Sequence, residues 1–557
     1  MAIIYLPQKK PVNNQEFTAK LETKTELVEL AKLPDNHITI YDAHGNSKDI
    51  VLNQKQNEFV RLLASGQSCV LLGAAGTGKT TCTLAAIQAL LDSGIVPNIF
   101  GDHKYLKAGL PAIVITAYTR RAVANIKRVQ STDIQQNCLT VHKLLEYKPT
   151  YYEVYDPVKD KVRTTMRFEA SRSMINPLDS SLQIFVIDES SMLSVELFTE
   201  LELAISRTDK KPIFVFIGDI QQLPPVFGSA ILGFKINELP TIELTEVYRQ
   251  ALESPILALA HRVLSGRILH WPELEQDWIN KSDQLQIIPW PKKIGAEKAM
   301  IEAFKLMRQG YDSGTYDPDN DIILCPFVKS FGTANLNKYI ANHIAKKNNR
   351  LTYQIIAGFE KYYYSIGDKV LFDKEDCIVL DIEINSKYIG KPFIEASHTL
   401  DYFGYDSAGS VTHFDMGTGI DLEMGIDGLI GYSEAIEESE RTILASHTMT
   451  IEIVDSGEVV KISSLSDYRK LDFAYCLSVH KSQGSEWRKV FLLLHHSHNC
   501  MIKRELLYTA ITRAREKLVI ICEKDTFVGG IMKQAIKGDT LHEKAEYFKG
   551  KIADKYS

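Results

Sequence analysis

The sequence predicts an α/β protein built from two parallel-sheet units, the second interrupted by a β-rich insertion. Three observations predict it. First, short apolar runs alternate with amphipathic stretches from about Leu52 to Arg249, at 68–76 (SCVLLGAAG), 112–117, 183–189 and 212–219. Strands alternating with helical segments read as βαβ units around a parallel sheet. Second, the same texture returns at 321–327 (DIILCPF) and from about Leu471 to Glu523. Third, the intervening residues 362–465 read differently, with β-like runs such as KVLFD, CIVLDIEI and TMTIEIVD separated by glycine-containing turns. The segments in order are 1–50, mixed and polar, an accessory segment; 51–265, the first unit; 266–320, a linker and the start of the second unit; 321–361 and 466–557, the second unit; and 362–465, the β-rich insertion.

Composition narrows the class. With 557 residues, 45% hydrophobic and 24% charged, the chain is globular rather than disordered or fibrous. The net charge of −6 argues against a generic polyanion binder. That average is uneven, because residues 372–440 hold 16 acidic residues against three lysines and the rest is net basic. The acidic insertion is expected to face away from any nucleic acid. Eight scattered cysteines form no C-x-x-C pair, which points to free thiols in a reducing compartment. The longest apolar runs are far too short to span a bilayer, and the N-terminus lacks the layout of a signal peptide. The expectation is a cytoplasmic protein without membrane contact.

The chemistry starts at 73–81, GAAGTGKTT, which fits G-x-x-x-x-G-K-[ST] between a strand-like and a helix-like run. Glycines let backbone N–H groups wrap phosphates, Lys79 reaches the outer phosphates, and Thr80 offers a hydroxyl to Mg²⁺. VIDE (186–189) ends an apolar strand in Asp188, suited to hold Mg²⁺, and Glu189, suited to polarise the attacking water. In GDIQQLPPV (218–226), Gln222 is an amide at a third strand exit, placed to sense a γ-phosphate, before the prolines Pro224 and Pro225 stop the turn.

With these motifs in this order, the chain resembles the superfamily 1, group B DNA helicases, the set with RecD-type and phage Dda-like enzymes. LNQKQNEF (52–59), TAYTRRA (116–122), TVHKLL (140–145), ELTEVYRQ (243–250), FAYCLSVHKSQGSEW (473–487) and RELLYTAITRAR (504–515) carry the resemblance. Tyr118 stands where the family usually has proline. The resemblance implies two RecA-like motor domains, 1A and 2A, with a β-hairpin pin at 147–180 and an SH3-like module at 362–465. It implies ATP and Mg²⁺ as cofactors. Gln56 would read the adenine, and Gly73, Ala75, Gly76, Thr77, Gly78, Lys79, Thr80 and Thr81 would cradle the phosphates. Arg249 and Arg513 would be arginine fingers, and Glu486 would accept the ribose hydroxyl. DNA contacts would fall on Thr116, Tyr118, Thr119, Arg121, Thr140, His142, Pro224, His480, Lys481 and Ser482.

Residues 147–171 read as two β-rich runs around DPVKD, with Tyr151, Tyr152, Tyr155 and Phe168 available to stack on bases. HHSHN (495–499) reads as a polar loop rather than a metal site, and Trp271, Trp278 and Trp290 as linker packing. The expected function is an ATP-dependent helicase on single-stranded and forked DNA, moving 5′→3′ as a monomer and working beside replication or recombination proteins, in the host cytoplasm if phage-encoded. Bipolar unwinding, a motor subunit of a recombination nuclease, an RNA track, and a non-motor nucleotide-binding module are the competing readings.

Overall fold

A computed structural model of the protein describes all residues except 1–36, 42–45, 93–111, 157–160, 206–211, 226–227, 247–253, 267–282, 291–293, 329–330, 373–374, 390–395, 398–403, 406–410, 414–442, 455–456 and 557. The chain enters through an antiparallel ribbon, β1 (His37–Tyr41) and β2 (Ser47–Val51). Its Ile38 and Ile50 join the core of the first lobe, tying part of the segment expected as an accessory to the motor body.

The first lobe is a six-stranded parallel sheet. Its strands are β3 (Cys69–Gly73), β4 (Ala112–Ala117), β5 (Cys138–Thr140), β8 (Leu182–Ile187), β9 (Ile213–Gly218) and β10 (Thr241–Leu244). Their order across the sheet is β10-β3-β9-β8-β4-β5. β3 is buried along its whole length, as a central strand covered by helices on both faces must be. α1 (Gln54–Ala64) and α2 (Lys79–Asp92) cover one face. Asn53 starts α1 by accepting the Gln56 N–H, while Gln56 reaches back to the Asn53 N–H, a reciprocal cap. Between β5 and β8 the chain leaves the sheet as a long antiparallel ribbon, β6 (Lys148–Asp156) and β7 (Lys161–Glu169).

The second lobe repeats the plan with five parallel strands, β11 (Leu285–Pro289), β12 (Asp321–Cys325), β23 (Cys476–Ser478), β24 (Trp487–Leu493) and β25 (Ala514–Cys522). They lie in the order β11-β25-β24-β12-β23. Trp290 packs in this lobe against Phe331 and donates its indole N–H to Leu494 O at 2.7 Å, whereas Trp271 and Trp278 lie outside the described residues.

Between β12 and β23 sits the β module. It holds β13 (Thr352–Ala357), β14 (Glu360–Ser365), β15 (Lys369–Phe372) and β16 (Glu375–Ile384), then the short β17 (Ala396–Ser397), β18 (Gly404–Tyr405) and β19 (Val411–His413). β20 (Leu444–Ile453), β21 (Val459–Ser464) and β22 (Leu471–Phe473) complete it. Its main sheet is antiparallel, in the order β21-β20-β16-β15-β22.

Three segment boundaries differ from the sequence expectation. Ile355, Ala357 and Tyr364 belong to the module core, as do Leu465, Tyr468 and Leu471, so the module runs from about Thr352 to Phe473 rather than 362–465. The helix Pro255–Leu264 buries Ile256, Leu259 and Val263 against the second lobe, not the first. The last helix, Leu541–Tyr556, returns to the first lobe, where Phe548 is buried and lies over Gly233. A Cβ at Gly233 would meet that ring at 2.4 Å. Each shift arises because a short amphipathic element takes the nearest uncovered apolar face, whichever lobe owns it.

Asp368 lies where the module joins the second lobe. It accepts the Ser365 N–H at 2.7 Å and the Tyr475 hydroxyl at 3.1 Å, and burial pushes its carboxyl up to about 7. The folded chain therefore holds a proton that the unfolded chain releases. That stabilisation is complete below about pH 4 and is lost as pH rises through 7. Asp368→Asn keeps an acceptor and removes the charge. Its stability relative to the unsubstituted protein is expected to rise by roughly 1–3 kcal/mol between pH 5 and pH 8, read from denaturant melts. A constant difference would show that Asp368 does not titrate in that window.

Candidate nucleotide cleft and nucleic-acid interface

β3 delivers the chain to the phosphate loop, and α2 opens at Lys79. Gly76 (φ 81°) and Gly78 (φ 85°) take left-handed conformations that a side chain would strain. Lys79 Nζ donates to Gly73 O at 2.6 Å and Ala74 O at 3.2 Å, holding its charge over the loop. Thr77 is buried and its hydroxyl closes the loop on Ala74 O at 2.8 Å. Thr80 is exposed in the first turn of α2, where partial positive charge gathers, and Thr81 is half-buried behind it.

Asp188 and Glu189 follow β8, with the Asp188 N–H on Thr116 O at 2.8 Å. Burial first, and then the charge of Glu189, push the Asp188 carboxyl up to about 7, while the Glu189 N–H and Lys79 pull it down. Glu189 has φ 49° and ψ 39°, a left-handed backbone costing roughly 1 kcal/mol or more in a residue with a Cβ. Its Oε2 is buried with no hydrogen-bond partner among the described residues, and so is Oε1 of Gln222. Two orphaned acceptors beside a raised acid form a donor set suited to a hydrated cation and a polar ligand.

The second lobe closes this cleft. Tyr508, fully buried on the helix Arg504–Ile511, accepts the Ala75 N–H at 2.7 Å and donates to Asp219 Oδ2 at 2.6 Å. Thr509 Oγ1 accepts the Leu223 N–H at 3.1 Å, and Gln483 Nε2 donates to Leu223 O at 2.9 Å. Gly484 (φ 74°) lies against the start of α3 (Arg120–Val129): a Cβ there would meet Thr119 Oγ1 at 2.8 Å, and Asn125 donates to Gly484 O. Arg513 bonds to its own lobe, at Thr509 O, Ser485 O and Thr512 Oγ1. It nonetheless lies close enough to the Tyr508 hydroxyl to act on it electrostatically. Arg249 lies outside the described residues. Glu486 is exposed, 3.8 Å from Arg515. Gln56 is wholly buried and its side-chain carbonyl serves the α1 cap.

The expected DNA contacts divide. Tyr118 and His142 meet edge to face at 5.5 Å, and His142 meets Tyr147 at 4.9 Å. This half-buried aromatic group lies at the carboxyl ends of β4 and β5, at the root of the β6–β7 ribbon. Thr119 and Thr140 cap short helices and are partly exposed, as is Pro224. Thr116 and Ser482 are placed differently from the other expected contacts. Both are fully buried, with their hydroxyls on Val186 O and Val479 O, because a short hydroxyl inside a strand or turn is satisfied by the nearest carbonyl. Lys481 pairs with Asp472 at 2.9 Å. Burial pulls His480 down to about 4, so it offers a neutral ring rather than a charge near pH 7. Arg121 pairs with Asp376 and Arg120 with Glu375, so these two acids of the module face the helix expected to hold DNA, while most of the acidic stretch from 390 to 442 lies outside the described residues.

On the ribbon, Tyr152 and Phe168 are exposed, while Tyr151 pairs with Met166 and Tyr155 with Val162 in register. The side chains of Tyr151 and Tyr155 lie outside the described residues. His495, His496 and Glu523 cluster closely, but the His495 nitrogens are engaged by Ser497 and Ile294 O, and Glu523 holds His496. Among the described residues, no helix is long and apolar enough to cross a membrane. Asp219, Gln483, Tyr508 and Thr509 went unnoticed in the sequence; each sits inside a quoted motif, but none has a spacing that signals its partner.

The fold and the cleft define a two-lobed phosphate-loop protein. Residues 56–228 match the family model of an AAA domain, and 473–521 that of a UvrD-like helicase C-terminal domain. The ATP-dependent RecD2 DNA helicase of Deinococcus radiodurans is 24% identical over 467 residues, covering 84% of this chain and 48% of that protein. The RecBCD enzyme subunit RecD of Mycolicibacterium smegmatis is 22% identical, over 88% of this chain and 74% of the relative. The chain thus spans about half the length of the Deinococcus relative. The Pif1 helicase from Bacteroides, solved with ADP-AlF3 and single-stranded DNA, is 16% identical over 90% of this chain and 98% of that one, with a TM-score of 0.46. In sequence the chain is thus similar to RecD-like helicases of superfamily 1, group B.

Ser482→Ala is expected to lower stability by about 1 kcal/mol, through the lost hydroxyl bond, and to leave affinity for a single-stranded oligonucleotide within about twofold. Melts and fluorescence anisotropy read the two effects separately. A tenfold loss of affinity at unchanged stability would return Ser482 to the DNA contact.

Proposed function

We propose that this protein is an ATP- and Mg²⁺-dependent DNA helicase that moves 5′→3′ along single-stranded DNA and opens forked duplexes as a monomer. The observation that supports this most is the shared cleft. A phosphate loop on one lobe is covered by the helix of the other lobe that leads to Arg513. Nucleotide bound there touches both lobes, so its turnover changes how they meet.

In this reading the loop amides and Lys79 take the outer phosphates, and Lys79 exchanges its two carbonyl partners for phosphate oxygens. Thr80 and Asp188 would hold Mg²⁺, which would draw charge from the phosphates. Glu189, whose buried oxygen lacks a partner among the described residues, orients the attacking water, and Gln222 reads the γ-phosphate. Arg513 leaves its carbonyl partners to neutralise developing charge, with Arg249 as the second donor. Tyr118, His142 and Tyr147 form a platform for splayed bases, and the β6–β7 ribbon splits the duplex. The named activity of the Deinococcus relative supports the DNA helicase reading. The RecBCD subunits among the relatives favour a second reading, a motor subunit within a recombination or repair nuclease.

Hydrolysis should rise about tenfold or more with single-stranded DNA and less with RNA, and 5′-tailed forks should unwind while 3′-tailed forks do not. Equal unwinding of both tails would make the enzyme bipolar. Hydrolysis indifferent to DNA would reduce the protein to a non-motor nucleotide-binding module. Lys79→Ala should abolish unwinding while the fold, followed by circular dichroism, persists. Phe168→Ala should cut fork unwinding several-fold with little change in DNA-stimulated hydrolysis; equal loss of both would move Phe168 from strand separation to the motor.

A further inference from the structure

The motif readings assign nothing to Tyr508, yet its side chain reaches from the second lobe to the phosphate loop. Its hydroxyl lies between two groups of the first lobe, the Ala75 N–H at 2.7 Å and Asp219 Oδ2 at 2.6 Å. Asp219 is 1% exposed and follows β9, whose Gly218 pairs in register with Leu72 beside the loop. The hydroxyl therefore joins the first turn of the phosphate loop to the strand end that leads to Gln222. Its neighbour Thr509 accepts the Leu223 N–H, and Thr509 O in turn accepts Arg513 Nε at 2.9 Å. One turn of helix thus carries a contact to the phosphate loop, a contact to the Gln222 loop and the tether of Arg513. His261 faces the same point, close to the Ala75 backbone and to Asp219.

We propose that Tyr508 is a positioning residue: its hydroxyl docks the second lobe on the phosphate loop through Ala75 and Asp219, and so reports the state of that loop to Arg513. This rests on the nucleotide reading of the cleft given above. The physical basis is competition for one donor. An amide has a single proton, so an Ala75 N–H given to Tyr508 is withheld from a phosphate oxygen, and one given to phosphate releases the hydroxyl. The helix is buried throughout, so it passes a shift at Tyr508 to Thr509 and Arg513 as a body rather than absorbing it.

Tyr508→Phe removes the hydroxyl and keeps the ring. In the nucleotide-free full-length protein, hydrogen exchange of peptides covering 73–80 should quicken about tenfold, within the range of coupling between two sites. Unchanged exchange there would overturn the bridge. Asp219→Asn retains an acceptor for the hydroxyl and should keep most of the protection; loss equal to that in Tyr508→Phe would show general loosening instead and overturn the proposal. A magnesium-bound, non-hydrolysable ATP analogue should alter exchange of peptides covering 504–513 in the unsubstituted protein and not in Tyr508→Phe. DNA-stimulated hydrolysis by Tyr508→Phe should lose about tenfold in kcat with KM for ATP moved less than about threefold. A loss confined to KM, or none, would overturn the coupling role. An unsubstituted protein without DNA-stimulated hydrolysis would sink the helicase reading, while the nucleotide-free exchange measurement would still decide the bridge.

Discussion

Two parallel sheets share one short buried helix, and the rest of the cleft follows from that constraint. All eight residues of Arg504–Ile511 are buried, although the helix carries an arginine, a glutamate, a tyrosine and a threonine. Polar groups survive such burial only when each finds a partner. Arg504 takes Ile531 O and Asp539, Glu505 takes the Ala535 and Ile536 N–H groups, and Tyr508 and Thr509 reach across to the first lobe. Satisfying the helix therefore requires the two lobes to meet in one register. That requirement sets the distance between phosphate loop and Arg513.

The charge distribution acts in the same geometry. Across the chain the acids outnumber the bases, but the excess is concentrated in the module. Two of its acids, Glu375 and Asp376, are held by Arg120 and Arg121 at the start of α3, and Arg121 also stacks over Trp487 at 5.4 Å. The guanidinium is mostly buried and its Nε lacks a partner among the described residues, so the pair is not a freely solvated surface bridge. Module, first lobe and second lobe meet at this arginine. A whole-chain average gives no hint of that meeting.

The fold was legible wherever a pattern is local. Alternating strands and helices announce both parallel sheets, because buried central strands are nearly continuous apolar runs such as CVLLG and IFVFIG. The β6–β7 ribbon was legible for the same reason. Boundaries were not, since Pro255–Leu264 and Leu541–Tyr556 are amphipathic helices whose sequence specifies an apolar face but not the lobe that covers it. The candidate site was half legible. The loop's local geometry follows from its spacing: Gly76 and Gly78 take left-handed conformations and Lys79 bonds back to Gly73 O. Thr116 and Ser482 look like surface hydroxyls in sequence and are core hydroxyls in space.

By itself, then, the sequence determined two parallel-sheet lobes, a β-rich insertion and a phosphate loop, because strand period, glycine freedom and loop length act within a few residues of one another. The tertiary structure decided how the lobes address each other. Ala75 and Tyr508 are 433 residues apart, and Tyr508 and Asp219 are 289 apart. A hydrogen bond between groups so distant leaves no period or spacing in the chain. It exists only once two cores have closed around the same helix and left one hydroxyl with a single place to go.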